Sequence, residues 1–283
     1  MKFANQGAEI FVPDGLPVPE ALARTTELAV GAHPDDIEIM ALHGIMRCFG
    51  EAERWFAGVV VTDGSGFPRG ELAARYTLEE IRQLRRKEQR KAAVVGEYGA
   101  LIQLDYPSAA VKDPSNRSVI DDLKRVLHAC RPEVVYTHNL ADSHETHVAV
   151  ALKVIAAIRE LPAELRPPAL RGGEVWRSLD WMSDDGTKLA LDVSAHAPLG
   201  AALLGVYDSQ LSAGKRYDLA ASGRRRANAT FHDAHEVDHS RALDYAMDLT
   251  PLIRDDSLDP EQYVSALIDR FAADVRSLLR RLR

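Results

Sequence analysis

The sequence predicts an α/β protein: a Rossmann-like, mainly parallel sheet with helices on both faces and a smaller C-terminal extension. Three observations carry this reading. Apolar runs of strand length, over residues 26–32, 55–61, 100–104 and 133–137, alternate with longer segments of helical periodicity. Each run ends in a polar loop, as βαβ units on a parallel sheet require. The chain has 283 residues, 46% apolar and 27% charged, which is enough for one large α/β domain. We expect a core over residues 1–165 and an extension over 166–283 that completes the same domain and covers a pocket.

Composition excludes several classes. A net charge of −7 argues against a general nucleic-acid binder, which would show a basic face. No apolar run approaches the roughly 18 residues of a membrane span, and the N-terminal stretch lacks the apolar core of a signal peptide, so the expected location is the cytoplasm. Cys48 and Cys130 form no CxxC pair; two reduced structural thiols are expected rather than a disulfide or a cysteine zinc site. No GxGxxG follows the first strand, so a dinucleotide is not expected.

Taken in order, residues 1–25 read as a leader packed on the domain and broken by Pro13, Pro17 and Pro19. After the first strand, residues 36–49 are helical, with Gly44 inside as a sign of close packing. The second strand runs into a loop containing Gly64, Gly66, Arg69 and Gly70, where Arg69 either meets an anionic or hydroxylated substrate group or is solvated. Residues 77–98 form a long charged helix. Its cluster from Arg82 to Lys91, interleaved with Glu79, Glu80 and Glu88, reads as a salt-bridged solvated face. The third strand ends at Asp105, a helix follows over 119–130, and Pro132 stops it before the fourth strand.

Two strand ends carry unusual chemistry. The first strand is followed by Ala32-His33-Pro34-Asp35-Asp36-Ile37-Glu38, and the fourth by a stretch with His138, Asp142, His144 and His147, before a helix over 148–161. Ligands in open α/β sheets bind outside the carboxyl ends of strands. A single capping Asp would be unremarkable, but a His with three carboxylates is more charge than a cap needs. His33, Asp36 and His147 supply the three protein ligands of a catalytic metal site that keeps a position open for water, and Asp35 stays free as a base.

Together these strings resemble the PIG-L/LmbE family of zinc-dependent N-acetylglucosaminyl deacetylases. The likeness rests on the residue 32–38 string, on Asp142-Ser143-His144-Glu145-Thr146-His147, on the 62–66 loop and on the long helix with Arg82, Arg86 and Glu88, and it covers residues 26–165. It implies Zn2+, or another divalent metal, on His33, Asp36 and His147, with Asp35 as general base and His144 as an imidazolium that stabilises the oxyanion. It implies hydrolysis of an N-acetyl group on an amino sugar or its conjugate. Arg69, Asp105 and Asp142 are the expected substrate contacts. Thr146 stands where the family commonly has an Asp that pairs with the oxyanion histidine, and His43-Gly44 replaces Gly-Gly. The alternatives are a metal-dependent hydrolase of a different amide or ester, and a metal-containing binding protein that has lost catalysis.

The second half is less informative. Residues 162–174 read as a connector, 174–181 as an aromatic strand, 188–193 as an added strand and 198–207 as a helix. Residues 214–230 are basic and glycine-interrupted, either a solvated run or a substrate- or subunit-contacting loop. His232, His235 and His239 sit among three acids, open to reading as a second metal site, a loop over the pocket or a surface segment; without HExxH the zincin reading fails. Residues 260–283 form a final amphipathic helix with Tyr263, Leu267, Phe271, Val275 and Leu279 on one stripe, suited to core or subunit packing and leaving a homo-oligomer open. The expected partner is a small-molecule amino-sugar substrate, with no nucleic acid and no membrane.

Overall fold

Burial of the apolar runs on both faces sets the architecture. The computed structural model describes residues 1–66 and 75–283, so Arg69 lies outside the described residues. In chain order the elements are β1 (Glu9–Phe11), α1 (Val18–Ala23), β2 (Glu27–Gly31), α2 (Asp36–Met40), α3 (Leu42–Cys48), β3 (Phe56–Thr62), α4 (Leu78–Val95), β4 (Ala100–Tyr106), α5 (Ser108–Lys112), α6 (Ser118–Cys130), β5 (Val134–His138), α7 (Glu145–Arg159), β6 (Ala169–Gly173), β7 (Lys188–Asp192), α8 (Ala197–Leu204), α9 (Asp208–Leu211), α10 (Tyr217–Thr230), β8 (Leu243–Asp248), α11 (Thr250–Arg254) and α12 (Pro260–Arg281). Every residue of β2, β3 and β5 is buried. That is the signature of parallel strands covered by helices on both sides.

The strands form one sheet in the order β1-β4-β3-β2-β5-β6-β8-β7. The five central strands, β4 through β6 in that order, are parallel. The chain winds outward from β2 to β4, then returns to the other side of β2 with β5. The carboxyl ends of β2 and β5 therefore flank the point where the winding reverses, which is where α/β sheets open a crevice. One face is packed by α1, α5, α6, α7, α11 and α12, the other by α2, α3, α4 and α8. Gly44 in α3 lies so near the ring of Tyr136 that an added Cβ would sit 2.6 Å from it, which accounts for the glycine within the helix. Among the described residues no helix is long and apolar enough to cross a membrane. Cys48 and Cys130 are both free and buried.

The mainly parallel α/β reading holds, and several local readings change. The leader contains regular structure: β1 adds an antiparallel edge to β4, and Pro19 sits in the first turn of α1, where its missing N–H costs nothing. Residues 174–181 are not a strand. Their backbone bonds to side chains instead of a ladder: Trp176 N donates to Asp142 Oδ2 (3.1 Å) and Leu179 N to Glu174 Oε1 (2.6 Å). The strand falls earlier, within the supposed connector, as β6. Residues 217–230 form α10 rather than a loop, and β8, unmarked in the sequence, pairs antiparallel with both β6 and β7. The basic cluster of α4 is salt-bridged but divided in exposure. Lys87 and Lys91 are exposed, whereas Arg85 is buried, and the half-buried Arg82 and Arg86 pair with Asp105 at 3.2 and 2.9 Å.

Candidate metal centre and its pocket

The site grows from the end of β2. His33 N donates to Asp36 Oδ2 at 2.7 Å, closing a turn directly before α2. Asp35 within that turn has φ +88° and ψ −25°, a left-handed conformation that a non-glycine residue adopts only under constraint. Two side chains from α4 supply the constraint. Gln89 Oε1 accepts from Asp35 N (3.2 Å), and Arg85 donates to the carbonyls of Gly64 (2.7 Å) and Pro34 (3.1 Å). Gln89 is itself fixed on Glu38, a fully buried carboxyl that also receives the hydroxyls of Tyr98 and Tyr207, each at 2.7 Å.

Three donor atoms then meet. His33 Nδ1 lies 3.2 Å from Asp36 Oδ2 and 3.2 Å from His147 Nε2, and Asp36 Oδ2 lies 3.4 Å from His147 Nε2. Donors bound tetrahedrally to one ion at about 2.0–2.1 Å stand roughly 3.3–3.4 Å apart, so this triangle fits a single zinc-sized cation. Behind it, Asp142 Oδ2 faces His147 Nδ1 at 3.5 Å, the outer carboxylate that orients a ligating imidazole. His138, at the end of β5, has Nε2 3.5 Å from Asp36 Oδ2, but that nitrogen accepts from Ala32 N at 2.9 Å and its lone pair is taken. Two further three-residue groupings, His33–His144–His147 and Asp36–His138–His147, each share two members with this triangle.

The two adjacent carboxyls are pushed in opposite directions. Burial raises the Asp35 carboxyl well above the usual carboxylate range, countered only in part by Arg85, whose Nη2 lies 3.8 Å away. Burial acts on Asp36 too, but the facing His147 and His138 rings outweigh it and hold that carboxyl low. Burial, together with His147 and His33, pushes His144 down, so the imidazolium expected at this position is disfavoured. Asp142 does not stand in for the acid that Thr146 replaces: its Oδ1 takes the backbone N–H of His144 at 2.9 Å and leaves the ring alone. His43 packs against Tyr136 Oη at 2.9 Å, and burial, with Arg171 and Arg47, pushes its pKa down to about 4.

A cleft of about 340 Å³ opens on this centre, lined at its base by His33, Asp35, Asp36, Arg85 and His144. Val175, Trp176, Gln210, Lys215 and Tyr217 form its wall. Trp176 lies nearly parallel to the ring of His144 (21° between planes, centroids 6.3 Å apart), with Lys215 Nζ 5.3 Å from its centroid and Tyr217 edge-on at 6.2 Å. Four buried polar atoms of residues lining the cleft have no hydrogen-bond partner among the described residues: Asp35 Oδ2, Arg85 Nε, His144 Nδ1 and Gln210 Oε1.

Residues 28–158 match the PIG-L family, described as GlcNAc-PI de-N-acetylase. The chain carries a PIG-L domain. In fold it is similar to the N,N'-diacetylchitobiose deacetylase of Pyrococcus horikoshii (18% identity, TM-score 0.62, 84% of this chain and 88% of that one). It is similar to the 4-carboxy-2-hydroxymuconate hydratase GalB of Pseudomonas putida KT2440 (18%, TM-score 0.60, 80% and 95%) and to the zinc-inhibited form of the teicoplanin deacetylase Orf2 (15%, TM-score 0.58, 79% and 97%). At such identities the likeness shows the fold. No curated protein matches the chain.

The PIG-L domain brings His33, Asp35, Asp36, His144 and His147 together within one centre. Of the expected substrate contacts, the two within the described residues do not line the cleft. Asp105 is held by Arg82 and Arg86, away from the cleft lining, and both oxygens of Asp142 are occupied behind His147. His232 bonds Tyr245 Oη at 3.2 Å in another cleft, while His235 and His239 are exposed, so none of the three reaches the centre. The sequence reading passed over Arg85, Gln89, Gln210, Trp176, Lys215 and Tyr217. The first two were legible in the phase of α4, where Ile81, Arg85, Glu88 and Ala92 share the buried face.

Proposed function

We propose that this chain is a metal-dependent N-deacetylase that removes the acetyl group from an amino sugar or amino-sugar conjugate. The observation that carries the reading is a three-donor triangle of His33, Asp36 and His147 set beside Asp35, whose carboxyl is buried, lines the cleft and has an oxygen with no hydrogen-bond partner among the described residues. Two imidazoles and a carboxylate are a donor set that suits zinc. When bound, such an ion supplies Lewis acidity, polarising an acyl oxygen and letting water ionise near pH 7.

The protein's own groups do the rest. Asp35 accepts the proton of the attacking water and then passes it to the departing nitrogen; the acetic acid so formed gives its remaining proton to the amine, and amide and water become acetate and an ammonium without net proton change. Arg85 and Gln89 hold the backbone around Asp35 in its left-handed turn, with Asp35 in the lining of the cleft. The ring of His144 donates to the oxygen on which charge develops, a contact that typically contributes roughly 10²–10³ in rate. Asp142 positions His147, and Trp176 offers an exposed aromatic face for a sugar ring.

The likeness to GalB supports a second reading, hydration of a carbon–carbon double bond on the same fold. Both readings use a metal and a base; only deacetylation releases acetate. The test is acetate and amine release from a panel of N-acetylated amino sugars, by protein loaded with one equivalent of metal, beside Asp35→Asn. One equivalent is the starting point because the related Orf2 has a zinc-inhibited form. Release by the wild type alone is the expected result. Silence across the panel with metal bound, or equal release by both proteins, contradicts the proposal.

A further inference from the structure

The last helix presents an apolar seam to solvent. α12 starts at a capped N-terminus, where Asp259 Oδ1 accepts from Gln262 N at 3.0 Å. Its first half is fastened to the body: Leu267 is buried, Phe271 meets the ring of Trp181, Asp274 accepts from Ser183 Oγ at 2.6 Å and Arg270 pairs with Asp185. Beyond Asp274 its side chains have no ion-pair or hydrogen-bond partner among the described residues, and all are exposed. The stripe read as core or subunit packing therefore splits: its start is core, and Val275 and Leu279 are outside.

The apolar residues along this side repeat strictly. Val264, Ile268, Phe271, Val275, Leu278 and Leu282 are spaced 4, 3, 4, 3 and 4, the a/d pattern of a coiled coil; Val264 is half-buried on the body and Phe271 touches Trp181 while still partly open, and the other four are exposed. Ile268 is 48% exposed, Leu278 47% and Leu282 75%. A helix meant only to face water would be polar there. The seam is also self-complementary when reversed. Turned antiparallel about Ala273, Val264 meets Leu282, Ile268 meets Leu278 and Phe271 meets Val275, so every apolar layer finds another, with Ala272 and Ala273 at the crossing.

Charge selects the same partner and the same direction. Residues 259–269 carry Asp259, Glu261 and Asp269 with no Lys or Arg; residues 276–283 carry Arg276, Arg280, Arg281 and Arg283 with no acid. An antiparallel second copy lays each basic end on an acidic end, whereas a parallel copy sets like charges together. At the acidic end the patch continues onto the body. Leu140, Val148 and Leu152 join Val264 around a groove of about 260 Å³, with Leu152 42% exposed. That groove lies where the partner's Leu282 arrives, some 18 residues or about 27 Å along the helix from Val264.

We propose that α12 is the docking helix of a two-fold dimer of this chain, antiparallel to its copy, with Leu282 of each chain seated in the groove beside α7 of the other. The interface is isologous, as a two-fold requires.

The test uses the full chain and its solution mass as a function of concentration. Wild type is expected at twice the chain mass, with Leu278→Glu weakening dimerisation by roughly 30-fold or more. Two charge-reversed proteins sharpen it: one with Arg276, Arg280, Arg281 and Arg283 each changed to Glu, the other with Glu261 and Asp269 changed to Lys. Each alone is expected to be monomeric, and an equimolar mixture to recover the dimer, because reversal on one chain answers reversal on the other. Metal content and a folded thermal transition, checked on every variant, separate loss of docking from loss of fold. A wild-type monomer at every concentration overturns the proposal, as does a dimer indifferent to Leu278→Glu or a mixture that stays monomeric.

Discussion

The PIG-L domain and residues 166–283 contribute to the same cleft in different ways. In the first, each reactive side chain sits at a strand end or a helix start and is held by others: Asp36 by three histidines and a backbone N–H, His147 by Asp142, Asp35 by the α4 residues Arg85 and Gln89. In the second, the wall residues stand on a turn, the four-residue α9 and the start of α10, and Gln210 has a buried oxygen with no hydrogen-bond partner among the described residues. A tightly cross-braced centre suits chemistry that needs fixed geometry. A wall with unmet hydrogen-bonding capacity suits selection among substrates, because a buried polar atom left unpaired costs about 1–3 kcal/mol until a ligand pairs with it.

Changes in the two regions are therefore expected to separate in their kinetics. The largest effect is expected from His147→Ala, which removes a donor from the triangle: metal measured per chain falls toward zero and acetate release goes with it. Retention of one equivalent would place the ion elsewhere. Next is Asp35→Asn, which is expected to keep its metal and to lower kcat by roughly 10²–10⁴, the range of a positioned general base. His144→Ala follows, with a loss of roughly 10²–10³ in kcat and little change in metal content. The smallest is Gln210→Leu, which keeps the shape of the wall and removes its acceptor; KM should rise about tenfold with kcat nearly unchanged, since one substrate hydrogen bond is worth about 1–1.5 kcal/mol. A fall in kcat with unchanged KM would move Gln210 into the catalytic group and break the division.

The same contrast explains what the sequence made legible. The ligands and the base lie in short strings at strand ends, where spacing alone brings them to one side, and the parallel alternation sets β2 beside β5, so residues 33 and 147 meet although they lie 114 positions apart. Asp105 and Asp142 show the limit of that logic. A strand-end acid can face away from the cleft, and only packing decides; Asp105 is drawn to Arg82 and Arg86, and Asp142 to His147. Arg85 is hidden in a run of basic residues where only helical phase singles it out. Trp176, Gln210, Lys215 and Tyr217 follow no periodic pattern, because their places depend on how turns and short helices pack across the sheet. β8 escaped for another reason: its Asp244, unusual in a strand interior, is buried against Arg225 at 2.8 Å.

The most direct measurement is the position of a bound metal ion, located by anomalous diffraction at the zinc edge in crystals grown with one equivalent of zinc. The account predicts one peak within about 2.2 Å of His33 Nδ1, Asp36 Oδ2 and His147 Nε2, with the Asp35 carboxyl outside bonding distance. A peak coordinated by Asp35, or centred on His138 or His144 in place of this triangle, would contradict it.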